Sequence, residues 1–187
     1  MASTAEDISR DLVTSPPSER GRDETMRLAD PTPSPRGEMA FLPEVFFLGH
    51  TQGAGVVRDP FGRVVRRCQV STEGVFSPTY GAIHFDETFV YDDGEVDVWR
   101  WAMTAGRDGR YVAAEVLAGA GITGERRGGD YLISFRRPVG KATGPLAPRF
   151  ATRFTLLAED LALKTAKVSL FGLPLGVLTA VHRRLKA

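Results

Sequence analysis

Glu87 and Glu115 are the side chains whose surroundings could do chemistry. Each stands in an alternating segment among large apolar residues. A carboxylate on an apolar face must pair or take up a proton, because desolvation disfavours its charged form. Two such groups facing one space could divide the work of acid and base, since shared burial drives their pKa values apart. They could also orient the polar end of a ligand in an apolar cavity. The third reading is a satisfied internal network that fixes strand register. All three require both glutamates on one face, and the turns decide that.

Gly81 to Val116 reads as three antiparallel strands joined by glycine-closed turns, Asp92-Asp93-Gly94 and Arg107-Asp108-Gly109. Asp-Gly between alternating segments is a strong hairpin signal, because glycine accepts the positive φ such turns need. A two-residue loop sets Glu87 opposite Arg100; a three-residue loop, with Gly94 left-handed in a bulge, sets it opposite Trp99. A one-residue slip exchanges every face, so segregation arbitrates. The three-residue register groups Ile83, Phe85, Glu87 and Phe89 with Trp99, Trp101 and Met103, and is preferred. The same loop at Gly109 puts Glu115 opposite Trp101. On the preceding strand Val64, Arg66, Cys68 and Val70 form the better inward set, which makes Arg66 the expected counter-ion of Glu87. If the pair serves a ligand, Glu87→Gln should weaken binding more than it lowers stability.

Ten short strands follow one another between Gly53 and Arg184 with no long helix between them, which predicts an all-β, antiparallel up-and-down barrel. A sandwich is the runner-up. Leu42-Pro43-Glu44 ahead of Val45 to Leu48 predicts a short helix with Pro43 in its first turn. Residues 1–38 hold five prolines, no aromatic residue and interleaved charges, so they are expected to be a disordered tail. The domain then spans 39–187, with Met26 and Met39 as alternative starts.

The bulk properties narrow the classes. A formal charge of +1 makes no case for nucleic acid. The single cysteine, Cys68, cannot form an internal disulfide and reads as core filler. No signal peptide or spanning helix is visible, so a cytoplasmic location is the expectation. Gly49-x-x-x-Gly53-x-Gly55 has a dinucleotide-like spacing, but strand and turn follow it where the phosphate cradle needs a helix. His84, Asp86 and Glu87 split across two strand faces, so no metal site is expected. His182, beside Leu178 and Ala180, could ligate a haem iron as a lone axial histidine but lacks a supporting motif; no cofactor is expected. From Arg149 onward the chain is basic, including Arg153, Lys164, Lys167, His182, Arg183 and Arg184. That is a solvated outer face or, in the sharper reading, a peripheral contact with an anionic membrane.

Several of these motifs together resemble the bacterial domain-of-unknown-function 3833 family. They are Phe46-Phe47-x-Gly49 with Gly53-x-Gly55, Asp59 with Phe61-Gly62 and Arg66-Arg67, the block Asp86-Glu87-x-Phe89-x-Tyr91-Asp92-Asp93-Gly94-Glu95, Trp101, Tyr111 and Phe171-Gly172. The similarity runs from about Leu42 to Arg184. It implies a lipocalin-like (calycin-type) barrel and a link to enzymes that modify membrane fatty acyl chains. Many relatives look like lipoproteins; the lipidated cysteine is absent here. The family pattern has an acidic pair before a tryptophan where this chain has Thr152-Arg153-Phe154, an asparagine near Lys164 and a lysine near Leu170.

The expected function is therefore a barrel that binds a fatty acyl chain or similar small hydrophobic ligand. Phe85, Phe89, Trp99, Trp101 and Met103 would form the wall, and Glu87, Glu115 and Arg66 would meet the polar end. An enzyme using the glutamates as acid and base on a modified acyl chain, and a structural protein with a filled barrel, stand as alternatives. Whether the interior is open or filled separates them.

Overall fold

The computed structural model describes residues 39–139 and 146–186. The tail expected over 1–38 lies outside the described residues. The chain forms a closed barrel in the order β1-β10-β9-β8-β7-β6-β5-β4-β3-β2, every pair antiparallel. The strands are β1 (Gly49–Arg58), β2 (Val64–Ser77), β3 (Ala82–Tyr91), β4 (Val96–Ala105), β5 (Arg110–Glu115), β6 (Gly119–Arg127), β7 (Asp130–Arg136), β8 (Arg149–Ala158), β9 (Leu161–Leu170) and β10 (Leu173–Arg184). A short helix, α1 (Pro43–Phe46), precedes them with proline in its first turn. The up-and-down barrel read from strand spacing is the fold found. Among the described residues no helix is long and apolar enough to cross a membrane.

The bulged register is the one observed. Glu87 lies opposite Trp99 and Trp101 opposite Glu115. Gly94 adopts φ 83 while the Tyr91 amide donates to the Glu95 carbonyl across the loop. At the second turn Asp108 also has positive φ, 57, ahead of Gly109, a tighter 3-10 turn (Arg107–Gly109) with the same registry.

Glu73-Gly74, which resembles a turn in sequence, instead lies inside β2, which runs on to Ser77. Gly74 is there for clearance: a Cβ would collide with the Phe47 carbonyl. The contact seats the end of α1 against the barrel. Gly53 and Gly55 likewise pass close to Val181 and Ala180 on β10, which accounts for the dinucleotide-like spacing without a nucleotide.

Because the strands meander, the turns β1–β2, β3–β4, β5–β6 and β9–β10 ring one mouth, where β7 ends and β8 begins. The other turns ring the opposite mouth, where α1 sits. Phe41, Phe46 and Phe47 are buried there. Phe47 stacks on Phe85 at 4.4 Å and Phe41 on Phe154 at 5.0 Å. Two polar links tie this plug down, from the Phe41 amide to the Gly129 carbonyl (2.9 Å) and from Tyr111 Oη to Glu44 (3.0 Å).

Candidate functional site

Alternation along β3, β4 and β5 turns Phe85, Glu87, Phe89, Trp99, Trp101, Met103 and Glu115 into the barrel, and all are buried. Phe85, Glu87, Trp99, Trp101 and Met103 line one central void, joined by Phe47, Tyr131, Ile133, Phe135, Thr152, Phe154 and Lys164. That void is only about 10 Å³, close to the least that holds one water molecule. The interior is filled by aromatic side chains, among them the α1 plug.

Arg66 does not pair with Glu87. Its Nη2 donates to Asp93 Oδ1 (2.7 Å) and Glu95 Oε2 (3.0 Å), and its guanidinium lies 3.7 Å from the Tyr91 ring centroid. Glu87 sits opposite Thr72, about 20 Å along β2 from Arg66 at the usual strand rise. Arg66 therefore caps the mouth, beyond reach of the barrel centre.

The partner of Glu87 comes from the far wall. Lys164 Nζ, on β9, donates to both Glu87 carboxylate oxygens at 2.6 Å. Its ammonium also faces the rings of Trp99 (4.7 Å), Phe89 (4.9 Å) and Phe154 (5.4 Å), so ring quadrupoles and a carboxylate share one charge. Burial pulls the Lys164 pKa below its ordinary value, against the opposing pull of Glu87. Ala162 and Ala166 flank Lys164 on the inward face. Two alanines leave room for a long side chain, a signal present in the sequence and overshadowed by the leucines of the outward set.

His182 completes the cluster from β10. Its Nε2 lies 3.6 Å from Glu87 Oε1, too far for a hydrogen bond, and neither ring nitrogen has a partner. Burial, reinforced by the Lys164 ammonium, depresses its pKa to about 3, so the ring is neutral and the contact with Glu87 is no ion pair. The ring packs against Phe47 and Phe154. The unfolded chain protonates this histidine below pH 6.5 while the folded one resists until about pH 3. Its contribution to stability is thus complete above pH 6.5 and lost as pH falls towards 3. Between about pH 6.5 and pH 5 the wild type should lose about 2 kcal/mol through this group. Urea unfolding of wild type and His182→Leu across that range checks it: the variant's pH dependence should be flatter by that amount.

Glu115 belongs to a second cluster near the opposite mouth. Its Oε2 accepts from the Leu117 (3.0 Å) and Ala118 (2.9 Å) amides and lies 3.2 Å from Arg137 Nε. Arg137 grips Asp97 with both Nη atoms (2.9 and 2.8 Å) and stacks over Trp99, while Trp99 Nε1 donates to Asp97 at 2.7 Å. Glu87 and Glu115 thus face one interior, each bound to its own cation. This is a different arrangement from the proton-sharing pair that acid/base division requires.

The basic run after Arg149 divides accordingly. Lys164 and His182 point inward, while Arg153 and Arg183 stay outside beside Asp130 and Asp160. Cys68 is buried, and burial raises its thiol pKa, as befits core filler.

Taken together, the closed antiparallel ring and aromatic interior define a lipocalin-like β-barrel. The chain belongs to the family described as "Protein of unknown function (DUF3833)", which matches residues 29–184. Among solved structures it resembles the S-type phycobiliprotein lyase CPES from Guillardia theta at 11% identity and a TM-score of 0.57, over 79% of this chain and 94% of that one. It also resembles a protein of unknown function from the DUF3598 family of Nostoc punctiforme, at 14% identity and a TM-score of 0.58. That match covers 82% of this chain and 53% of the other. At these identities the likeness is one of fold. Among curated proteins none matches.

Proposed function

We propose that the barrel binds a small, elongated hydrophobic molecule with one polar head, of which a fatty acyl chain is the simplest example. One observation carries this reading: an unpartnered polar group faces an aromatic-walled void, with a second one close beside it. Thr152 Oγ1 is unbonded in a residue that lines the void, and both nitrogens of His182, which packs on Phe47 and Phe154 beside the Lys164–Glu87 pair, are buried and unbonded. Leaving such atoms unsatisfied costs about 1–3 kcal/mol each, and a core evolved for stability alone would replace them by apolar groups.

The bound molecule takes the space held by the α1 plug. Phe47 supplies a ring on the void, and its segment is tied to the barrel by few polar bonds. An acyl chain would replace phenyl rings with methylenes, and its head would meet Thr152, His182 and Lys164. An acidic head adds a negative charge beside Glu87, which His182 can offset by taking up a proton. Binding of an acid is therefore expected to tighten as pH falls.

The competing reading is a rigid barrel with a permanently filled interior, and the small void favours it. Thr152→Val separates the two. It removes an unbonded hydroxyl at nearly constant shape, so stability should hold or rise by about 1 kcal/mol. If the interior binds ligand, titration with a dansylated fatty acid should show weaker affinity than wild type. Unchanged affinity, or no saturable binding by the wild type together with no co-purifying lipid in mass spectra, leaves the filled-barrel reading in possession.

A further inference from the structure

β9 and β10 run past the strands beside them. β8 begins with Arg149 opposite Ser169, and β1 ends with Arg58 opposite Val177. Leu170 therefore pairs only with Leu173, Pro174 pairs with Ser169 ahead of a bulge at Leu175, and the turn between them projects from the barrel mouth. Residues 171–175, Phe-Gly-Leu-Pro-Leu, are all exposed, with Phe171 at 79% and Leu173 at 69%. A consecutive exposed apolar run of this kind lowers solubility and contributes nothing to the core.

The backbone adds a second anomaly. Phe171 and Gly172 adopt φ 51 and 83, both positive as in a type I′ turn, whose first position favours Asn, Asp or Gly. Phenylalanine there has unfavourable backbone geometry and no burial. Beside it, Gly176 lies against the backbone of Arg58 and Asp59. The neighbouring β1–β2 turn carries Phe61 at its tip, 84% exposed. Set back from that tip are Arg58 and Arg63, the latter paired with Asp59 and 5.6 Å from the Phe61 ring centroid. The acids of the β3–β4 turn, Asp92, Asp93 and Glu95, are engaged by Arg66 and Arg67.

We propose that the two tips insert Phe61, Phe171, Leu173 and Leu175 into the headgroup–acyl boundary of a lipid bilayer, with Arg58 and Arg63 at the level of the phosphates. Aromatic and leucine side chains favour that boundary, and a basic residue near it gains from anionic lipid. A convex pair of turn tips suits insertion. This contact differs from the one suggested by the basic C-terminal strands: apolar tips carry it, and charge assists. It does not depend on what the interior binds.

Flotation of the full chain with phosphatidylcholine vesicles, with and without phosphatidylglycerol, tests it. Wild type should float with the mixed vesicles, and less with phosphatidylcholine alone. Phe171→Asn should lower the apparent partition coefficient about tenfold while its melting temperature holds or rises, since asparagine suits the turn. Leu173→Ser and Phe61→Ser should lower partitioning comparably and carry the test if Phe171→Asn fails to fold. Failure of wild type to bind either vesicle, or equal binding by folded variants, overturns the proposal. So does light scattering that shows a wild-type dimer abolished by Phe171→Asn, with no vesicle binding by either protein; that result identifies a second copy as the occupant.

Discussion

Lys164→Met should destabilise the protein by about 3–5 kcal/mol, because it leaves the buried Glu87 carboxylate without its cation. Three features of the geometry set this magnitude. The ammonium donates to both carboxylate oxygens at 2.6 Å, it is fully enclosed, and the neutral His182 offers Glu87 no charge in exchange. The double variant Lys164→Met with Glu87→Leu should return to within about 1 kcal/mol of wild type, since a buried pair and a packed apolar pair of similar volume often differ little. Denaturant unfolding of wild type, both single variants and the double variant measures the coupling. A single-variant loss below about 1 kcal/mol would mean that water reaches the pair. By the same reasoning Glu87→Gln strands a buried ammonium. It is therefore expected to cost stability outright, and cannot report on binding alone as the sequence suggested.

Phe47→Ala is expected to cost about 3–5 kcal/mol, the usual range for deleting a buried phenyl ring, and to do what destabilisation alone does not. The lost ring lies on the central void, so its volume merges with the space beside Lys164, Thr152 and Phe85. The variant should bind a dansylated fatty acid at least about tenfold more tightly than wild type, since the ligand no longer displaces a ring worth about 1.5–3 kcal/mol of burial. Near-ultraviolet circular dichroism that keeps its native form would separate a hollowed barrel from a loosened one. Lower stability with unchanged or weaker binding would show that α1 is ordinary core and not a plug.

The sequence was most legible where neighbouring strands are joined by short turns. Gly94 and Gly109 fix the β3–β4–β5 register, and that register puts Glu87, Trp99, Trp101 and Glu115 on one face. What remained hidden is contact across the barrel. Glu87 on β3 meets Lys164 on β9 only after ten strands close with a particular stagger, and no hairpin rule carries that information. Arg66 faces inward yet meets Asp93 and Glu95 at the mouth, because inward direction says nothing of height along the axis. Arg137 continues the inward alternation of Tyr131, Ile133 and Phe135, but lying beside Arg136 and just ahead of Pro138 it reads as the polar end of a strand. Thr152, Phe154 and Lys164, from two neighbouring strands, all border the central void.

The pairing of β1 with β10 has a consequence for how the molecule is made. The first strand to leave the ribosome must wait for the last before either long edge is covered, and the Leu185 amide then bonds the His50 carbonyl across that seam. Contacts so distant in the chain slow folding. Until closure, two bare strand edges are open to other chains. Synthesis is therefore an aggregation-prone stage for this fold, and a truncation that removes the β10 residues paired with β1 should leave the β1 edge permanently bare.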